Sequence, residues 1–348
     1  MLQLSQFDFE FPESQIAQRP MARGDSRMMV ISRSEPGRHV HDHTRNLITY
    51  LSPGDGLVLN NTRVIPARMF GTSASGAKVE ILLLRRDREG SPVRWEAMVR
   101  PGKRCRPDAV IHFDPGFSGF IRDVLPSGNR IIEFPLSAGQ FQLYMDQIGK
   151  APIPPYIKRK PDDHDLNRYQ SVFAVKPGSV AAPTASLHLT RGQLKDMEKK
   201  GIELIKSTLH VGPGTFLPVK TGYVEEHLMH KEYFEISPQA CESINRIKRS
   251  GKKIWAVGTT VARILETVGF EGEAEWVSAG SGMTDKFIYP GYQWRVVDCL
   301  LTNFHWPRST LFMLVCSLLG TGEARNAYQQ AFINKYRLFS YGDAMLIF

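Results

Sequence analysis

Four segments of the chain share one design, in which an apolar run ends in a loop that holds histidine or threonine beside small residues. They are AAPTASLHLT (181–190), TLHVGPGTF (208–216), AVGTTVARILE (256–266) and LLTNFHWPRST (300–310). In open α/β sheets, ligands bind outside the carboxyl ends of the strands. Gly212 and Gly214 would let the backbone approach a ligand, and a helix that opens at Thr259 and Thr260 would offer N–H groups to an anion. Each loop alone is better explained as a tight turn, but four together favour a ligand site.

A fifth segment, EEHLMHKEYFE (225–235), gathers titratable side chains, among them Glu226, His227 and His230. Histidine and glutamate exchange protons near neutral pH, which suits general acid/base chemistry. The histidines are three positions apart and no HExxH is present, so the pattern does not favour a metal site. A solvated surface turn of mixed charge explains the segment equally well.

The segment HVHDH (39–43) has a spacing that resembles a metal site, but an amphipathic, helix-like run, TRNLITYL, follows it directly. We therefore predict a surface turn there and no metal site in the chain.

Basic residues cluster in three places: between Arg85 and Arg106, at 158–160, and around Gly251. Lysine and arginine that neutralise phosphates give affinity for nucleic acid, although such runs also serve as solubilising surface. A small barrel with a basic rim would form an RNA platform. The predicted nucleic-acid-binding residues are Arg100, Lys103, Arg104, Lys158 and Arg159.

Several common motifs are missing from the sequence. There is no GxxxxGK[ST], which argues against a P-loop NTPase. GPG (212–214) and GSG (280–282) do not complete GxGxxG, so a dinucleotide-binding or methyltransferase loop is not supported. No GxSxG hydrolase motif is present.

The regions that would position these residues show two different secondary-structure patterns. Residues 64–150 contain short strand-like runs separated by turns, which predicts an inserted antiparallel β-barrel. Residues 1–63 and 151–348 alternate strand and helix, which predicts a larger α/β sandwich domain. Ser137 with Gln140 and Thr190 with Gln193 form capping-box patterns, and Ser237 precedes a proline at a helix start.

Composition limits the class of protein. The chain has 348 residues, is 42% hydrophobic and carries a formal net charge of +9, which suggests a polyanionic partner. Its four cysteines are far apart, and no apolar run reaches the ~20 residues of a membrane span. We expect a cytoplasmic protein without membrane association, and nothing such as a heptad seam demands more than a monomer.

Long segments in order resemble those of the S-adenosylmethionine:tRNA ribosyltransferase-isomerases of queuosine biosynthesis. The resemblance runs from FDFEFPESQIAQRP to YRLFSYGDAMLIF and includes LNNTRVIPARMFG, PPYIKR, TLHVGPGTFLPV, EEHLMHKEYFEI and AVGTTVARILE. The chain differs from the family pattern at Ser186, Val261 and Trp306.

The resemblance implies that the ribosyl unit of S-adenosylmethionine moves to 7-aminomethyl-7-deazaguanine in tRNA. The product is epoxyqueuosine, with adenine and methionine released. S-adenosylmethionine is consumed as a substrate, and no cofactor is expected. Two other functions stay open: an RNA-binding module, and a methyl transferase that would leave S-adenosylhomocysteine.

The chemistry of the residues at the matching positions suggests roles for several of them. His210 and His227 are candidate bases, His188 and His305 candidate donors to adenine, and Glu226 a partner for a histidine or the sulfonium. His230 belongs to the same acid/base set. The expected substrate-binding residues are Gly212, Gly214, Thr215, Gly258, Thr259, Thr260, Arg263 and Asn303.

Overall fold

The computed structural model describes residues 1–88, 91–114, 116–212, 214, 218–270 and 275–348. The chain forms two compact units. The first comprises Met1–Arg63, Pro154–Arg159 and Gln170–Phe348, and the second comprises Val64–Ile153 and Lys160–Tyr169. The expected fold class, a larger α/β part with an antiparallel barrel, is confirmed.

Strands dominate the first part of the chain, and the first α-helix follows the tenth strand. The strands are β1 (Arg27–Ile31), β2 (His39–His43), β3 (Gly56–Asn60), β4 (Thr62–Val64), β5 (Arg68–Ser73), β6 (Lys78–Arg88), β7 (Val93–Arg100), β8 (Val110–Phe113), β9 (Phe117–Val124), β10 (Arg130–Phe134), β11 (Lys176–Ser179), β12 (Glu203–Leu209), β13 (Glu232–Ile236), β14 (Ile254–Val257), β15 (Gly280–Thr284), β16 (Cys299–Asn303) and β17 (Ala344–Ile347). The helices are α1 (Ala138–Ile148), α2 (Asp163–Arg168), α3 (Arg191–Lys199), α4 (Pro238–Arg249), α5 (Thr259–Val268), α6 (Thr310–Leu319) and α7 (Thr321–Ile333).

The first unit is built on a nine-stranded sheet in the order β15-β13-β12-β3-β14-β16-β17-β1-β2. Within this sheet, the adjacent pairs β12-β3, β3-β14 and β14-β16 are parallel. Their carboxyl ends therefore meet at one edge of the sheet, where α/β folds bind ligands.

The centre of the sheet is buried on both faces, in strands β3, β14, β16 and β17. Leu57 and Leu59 of β3 belong to one hydrophobic cluster, while Val58 between them belongs to the other. Continuous apolar strands are typical of parallel sheets that are covered on both sides. The carboxyl ends of the central strands thus rest on apolar clusters packed on both faces of the sheet.

The helix starts predicted from capping patterns are confirmed. Ser137 and Thr190 each form a complete capping box with the glutamine three residues on, and Ser237 caps α4. Helix α7 was not recognised in the sequence. Its buried face consists of three alanines and one large residue, Tyr328, so the periodicity of large apolar residues is weak.

The surface turn predicted at 39–43 is wrong, because this segment is strand β2 at an edge of the sheet, paired with β1. The run that follows is a 3-10 helix, Thr44–Thr49. Alternate side chains of β2 point the same way. His39 binds the Glu323 carboxylate at 2.7 Å, and His41 binds the Tyr336 hydroxyl at 2.8 Å. The histidines thus dock the strand.

The second unit contains a closed antiparallel barrel in the order β10-β7-β6-β5-β8-β9. The alternation noticed in β6 has its expected cause, since Val79, Ile81 and Leu83 all point into the barrel and are at most 1% exposed. None of the helices in the described part of the chain is long and apolar enough to cross a membrane.

Candidate active site

All four loops singled out in the sequence contribute to one cavity of about 390 Å³ in the first unit. Three of them follow the parallel strands β12, β14 and β16. The fourth, at 181–190, follows the short strand β11, which pairs with β4 outside the large sheet. The convergence of these loops strengthens the interpretation of a ligand site over four unrelated turns.

The amino-terminus of α5 forms part of the cavity wall. Gly258 has φ +92°, a conformation that favours glycine, and its N–H donates to the Leu301 carbonyl at 2.8 Å. Thr259 and Thr260 begin the helix and line the cavity. The N–H groups of a first helical turn lack partners within the helix, so this end suits a carboxylate.

Asn303, at the end of β16, presents an amide to the cavity. Its Nδ2 donates to the Phe339 carbonyl at 3.1 Å and to Nε2 of His188 at 3.2 Å. Its Oδ1 is buried and has no hydrogen-bond partner among the described residues. A buried acceptor without a partner is costly, so this oxygen is available for a ligand that donates a hydrogen bond.

His188 and His305 are both buried beside this wall. Nε2 of His305 lies 2.8 Å from the Thr302 hydroxyl. Burial lowers the pKa of His305 to about 3. Burial, together with Arg23 and Arg337, lowers the pKa of His188 to about 4. Both rings are therefore neutral at pH 7, which favours proton acceptance or neutral hydrogen bonding over donation from an imidazolium.

The depressed pKa of His188 predicts that stability falls as pH is lowered. The pKa of the ring is 6.5 when unperturbed and about 4 in the fold, so between these values the unfolded chain binds more protons. The stabilisation is complete above pH 6.5 and lost toward pH 4, on the order of 3 kcal/mol. Urea unfolding at pH 7 and pH 5 should show a smaller pH-dependent loss in His188→Gln than in the unsubstituted protein.

The exposed His164 supplies a control for this prediction, since it lies in the other unit. His164→Gln should leave the pH dependence unchanged. Equal losses in His188→Gln and the unsubstituted protein would contradict a neutral, buried His188.

An aromatic cluster forms another wall of the cavity. Trp306 stacks on Phe339 with ring centroids 4.2 Å apart and an interplanar angle of 9°. Tyr156 lies 5.4 Å from Trp306, and its hydroxyl bonds to Ser340 at 2.5 Å. Among the described residues that line the cavity, none is aspartate, glutamate, lysine or arginine. The cavity is thus neutral, flat-walled and rich in hydroxyl groups.

Tyr156, Phe339 and Ser340 also line the cavity but were not predicted from the sequence. Tyr156 lies in the proline-rich run APIPPYIK, which suggested only a rigid linker. Trp306, one of the departures from the family pattern, is part of the cavity wall, whereas Val261 is buried in the core.

Arg263 does not line the cavity but pairs with a buried carboxylate. Its Nη1 donates to Oε2 of Glu232, and its Nε donates to the Lys286 carbonyl at 3.0 Å. Oε1 of Glu232 accepts the Gly212 N–H at 2.7 Å. Glu232 therefore connects α5 to the loop after β12.

His210 also lies outside the cavity lining, although its neighbour Val211 is part of it. Its Nδ1 lies 2.7 Å from the Thr62 hydroxyl, and its ring stacks on Tyr233. Burial, followed by the nearby Lys176, lowers the pKa of His210. The lowered pKa favours the neutral form of the ring.

The remaining acid/base candidates do not line the cavity either. Glu226 is exposed and accepts the Tyr223 N–H, while His230 is exposed close to Gly214. His227 is half-buried against Phe287, and burial, followed by His230, lowers its pKa. Thr215 lies outside the described residues. Within the part of the chain that the structure describes, no three histidine, cysteine or acidic side chains are grouped to hold a metal ion.

The predicted nucleic-acid-binding residues are distributed over both units. Lys103 and Arg104 are exposed on a 3-10 turn of the second unit, and Arg100 ends β7. In the first unit, Lys158 pairs with Glu13 at 3.1 Å, and Nε of Arg159 donates to the Gln18 carbonyl.

The first unit thus carries a neutral, aromatic-walled cavity at the carboxyl edge of its sheet, and the second unit is built on a barrel with exposed cations. Residues 4–347 match the family described as queuosine biosynthesis protein. The chain belongs to this family.

Two curated relatives are named S-adenosylmethionine:tRNA ribosyltransferase-isomerase. The protein of Desulforamulus reducens is 48% identical over 349 residues, covering 99% of this chain and all of that protein. The protein of Moorella thermoacetica is 46% identical over 348 residues with the same coverage. A crystal structure of an S-adenosylmethionine tRNA ribosyltransferase from Thermotoga maritima matches with a TM-score of 0.54 and 34% identity, covering 99% of this chain and all of that one.

Proposed function

We propose that this protein transfers and isomerises the ribosyl unit of S-adenosylmethionine onto 7-aminomethyl-7-deazaguanine in tRNA. The proposal gives epoxyqueuosine as the product and releases adenine and methionine. Family membership supports the reaction, and the observation that carries it is the neutral cavity at the carboxyl edge of the sheet.

The chemistry of the cavity suits S-adenosylmethionine part by part. The Trp306, Phe339 and Tyr156 wall offers flat apolar surface for the purine. The amino-terminus of α5 at Thr259 offers N–H groups for the methionyl carboxylate. Asn303 offers an acceptor for a ribose hydroxyl or for the amino group of a purine.

The neutral lining also favours the first chemical step. The described lining residues include no carboxylate, so a sulfonium that leaves water for this cavity loses solvation that no anion among them replaces. Removal of a proton from the adjacent ribose 5′ carbon neutralises that charge. The lack of an anion among the described lining residues thus raises the acidity of the ribose 5′ C–H group.

The rest of the proposed reaction consists of proton transfers and bond exchange within the two substrates. A base takes the 5′ proton, adenine leaves as it accepts a proton, and the neutral amine attacks the opened sugar. The carbanion closes the carbocycle, and an alkoxide displaces methionine as the epoxide forms. Electrons balance between the substrates, so we propose no cofactor.

His188, His210, His227 and His305 remain the proposed proton-transfer groups. The lowered pKa of each keeps its ring in the neutral, proton-accepting form at pH 7 and also makes it a weaker base, most of all His188 and His305. His188 and Asn303 act together in this proposal, since they share a hydrogen bond and Asn303 lines the cavity.

The experiment incubates the protein with S-adenosylmethionine and tRNA that carries 7-aminomethyl-7-deazaguanine, followed by mass spectrometry of nucleosides and small molecules. Epoxyqueuosine with equimolar adenine and methionine is the expected result. S-adenosylhomocysteine would instead identify a methyl transferase, and bound tRNA with intact S-adenosylmethionine would identify an RNA-binding module. Either outcome would overturn the proposal.

We further propose that the protein acts in the cytoplasm as a monomer. Native mass spectrometry at micromolar concentration tests whether the protein is a monomer, and a dimer would contradict the proposal.

A further inference from the structure

The outer face of the barrel carries a row of side chains on three neighbouring strands. Phe70 of β5 is opposite Glu80 of β6, and Glu80 is opposite Arg100 of β7. Residues opposite one another on adjacent strands point to the same face. Since Met69, Val79 and Val99 beside them are buried, this row faces outward.

The row lies in a groove of about 430 Å³, which we call the barrel groove. Its lining includes Phe70, Lys78, Glu80, Arg100, Pro101 and Lys160. All of these residues belong to the second unit.

The charge of the barrel groove is positive. Glu80 is neutralised by Arg68, which lies beside it. Lys78 and Arg100 are exposed, and neither has a carboxylate within ion-pair distance among the described residues. Lys160 adds a third cation to the lining.

Phe70 is 48% exposed and stands at the β5 end of the row, with Lys78 and Arg100 on the neighbouring strands β6 and β7. An exposed aromatic ring beside lysine and arginine side chains is typical of proteins that bind single-stranded nucleic acid, since bases stack on the ring while cations contact phosphates. Sequence-specific recognition of RNA targets unstacked bases in loops in the same way.

We propose that the barrel groove binds an unpaired segment of the tRNA substrate, with one base stacked on Phe70 and the phosphates held by Lys78 and Arg100. This inference rests on the proposed function, because it takes tRNA as the partner. An acidic peptide would satisfy the cations but would not use the face of the ring.

The test measures affinity for tRNA by fluorescence anisotropy at several salt concentrations. Phe70→Ala should weaken binding between about fivefold and a hundredfold, whereas Phe70→Trp should retain it. Lys78→Ala with Arg100→Ala should weaken binding and reduce the slope of log affinity against log salt by roughly one per cation.

Arg85 provides the matched control on the same barrel, since it is 73% exposed but already paired with Glu96 at 2.9 Å. Arg85→Ala should leave affinity within about twofold of the unsubstituted value. Circular dichroism establishes that each variant is folded.

Unchanged affinity in folded Phe70→Ala and in the double variant would overturn the inference, as would preferential binding of an acidic peptide. Turnover separates this failure from that of the proposed reaction. If the unsubstituted protein makes epoxyqueuosine and the variants keep its KM for tRNA, only the barrel groove is wrong. If it binds tRNA through the groove but makes no product, only the reaction is wrong.

Discussion

Asn303→Leu should lower kcat/KM for S-adenosylmethionine by roughly 10²–10³-fold, the cost of removing one preorganised polar group from a reacting site. The substitution keeps the number and branching of the side-chain heavy atoms but removes a buried amide oxygen of a cavity-lining residue that has no partner among the described residues. It also removes the donor to Nε2 of His188. Steady-state release of adenine measures the effect.

His188→Phe should cost roughly 10²–10⁴-fold if the ring transfers a proton in the limiting step. Because His188 and Asn303 share a hydrogen bond, the double variant should lose about as much as the more damaging single variant, since residues that act as a unit are not additive. Losses that multiply would show independent roles, and near-normal rates would remove both from the proposed site.

Asn245 supplies the matched control, because it is another buried amide whose groups all have partners. It bonds to Trp276 and Val277 and does not line the cavity. Asn245→Leu should reduce stability but leave kcat/KM within a few-fold. A comparable kinetic loss would mean that general destabilisation explains the Asn303 result.

Glu232→Ala should lower the free energy of unfolding by about 3–5 kcal/mol, because it leaves Arg263 charged and buried without its partner. Both side chains are only 5% exposed. The Gly212 N–H loses its acceptor at the same time. Equilibrium urea unfolding followed by tryptophan fluorescence measures the change.

Two variants sharpen this prediction. Glu232→Leu combined with Arg263→Met should recover much of the loss, since apolar replacement of a buried ion pair is often neutral. Glu133→Ala in the barrel should cost less, because its partners Arg94 and Arg122 are 35% and 41% exposed and regain water. Equal losses for the two glutamates would contradict the role of burial.

The sequence predicted local structure best where one segment carried the whole signal. The run KIWAVGTTVARILE combines a β-rich strand, a turn glycine and an amphipathic helix, so β14 and α5 followed from it. Asn303 and Gly258 were identified through loops of this kind.

The aromatic wall could not be predicted in the same way, because it joins Tyr156 and Phe339 through tertiary packing. The pairing of His188 with Asn303 likewise depends on which strands become neighbours.

Glu232 shows a signal that was present but was not used. From the sequence, Glu232 belonged to the segment 225–235, for which acid/base chemistry and a solvated surface turn were equally good explanations. In β13, however, Glu232 alternates with Phe234 and Ile236, and all three are buried. The strand period of two indicates that this glutamate points inward with them.

The position of β17 has a consequence for synthesis on the ribosome. This strand lies between β16 and β1. The hydrogen bonds of Met28–Ile31 on that side can form only after Ala344–Ile347 have been synthesised. The continuous barrel segment, by contrast, can fold while later codons are still being read. We expect protease protection of the barrel, but not of β1, in nascent chains stalled near residue 230. Until Ala344–Ile347 are synthesised, β1 has an unpaired edge that can aggregate, so slow or interrupted translation should promote aggregation of the α/β unit more than of the barrel.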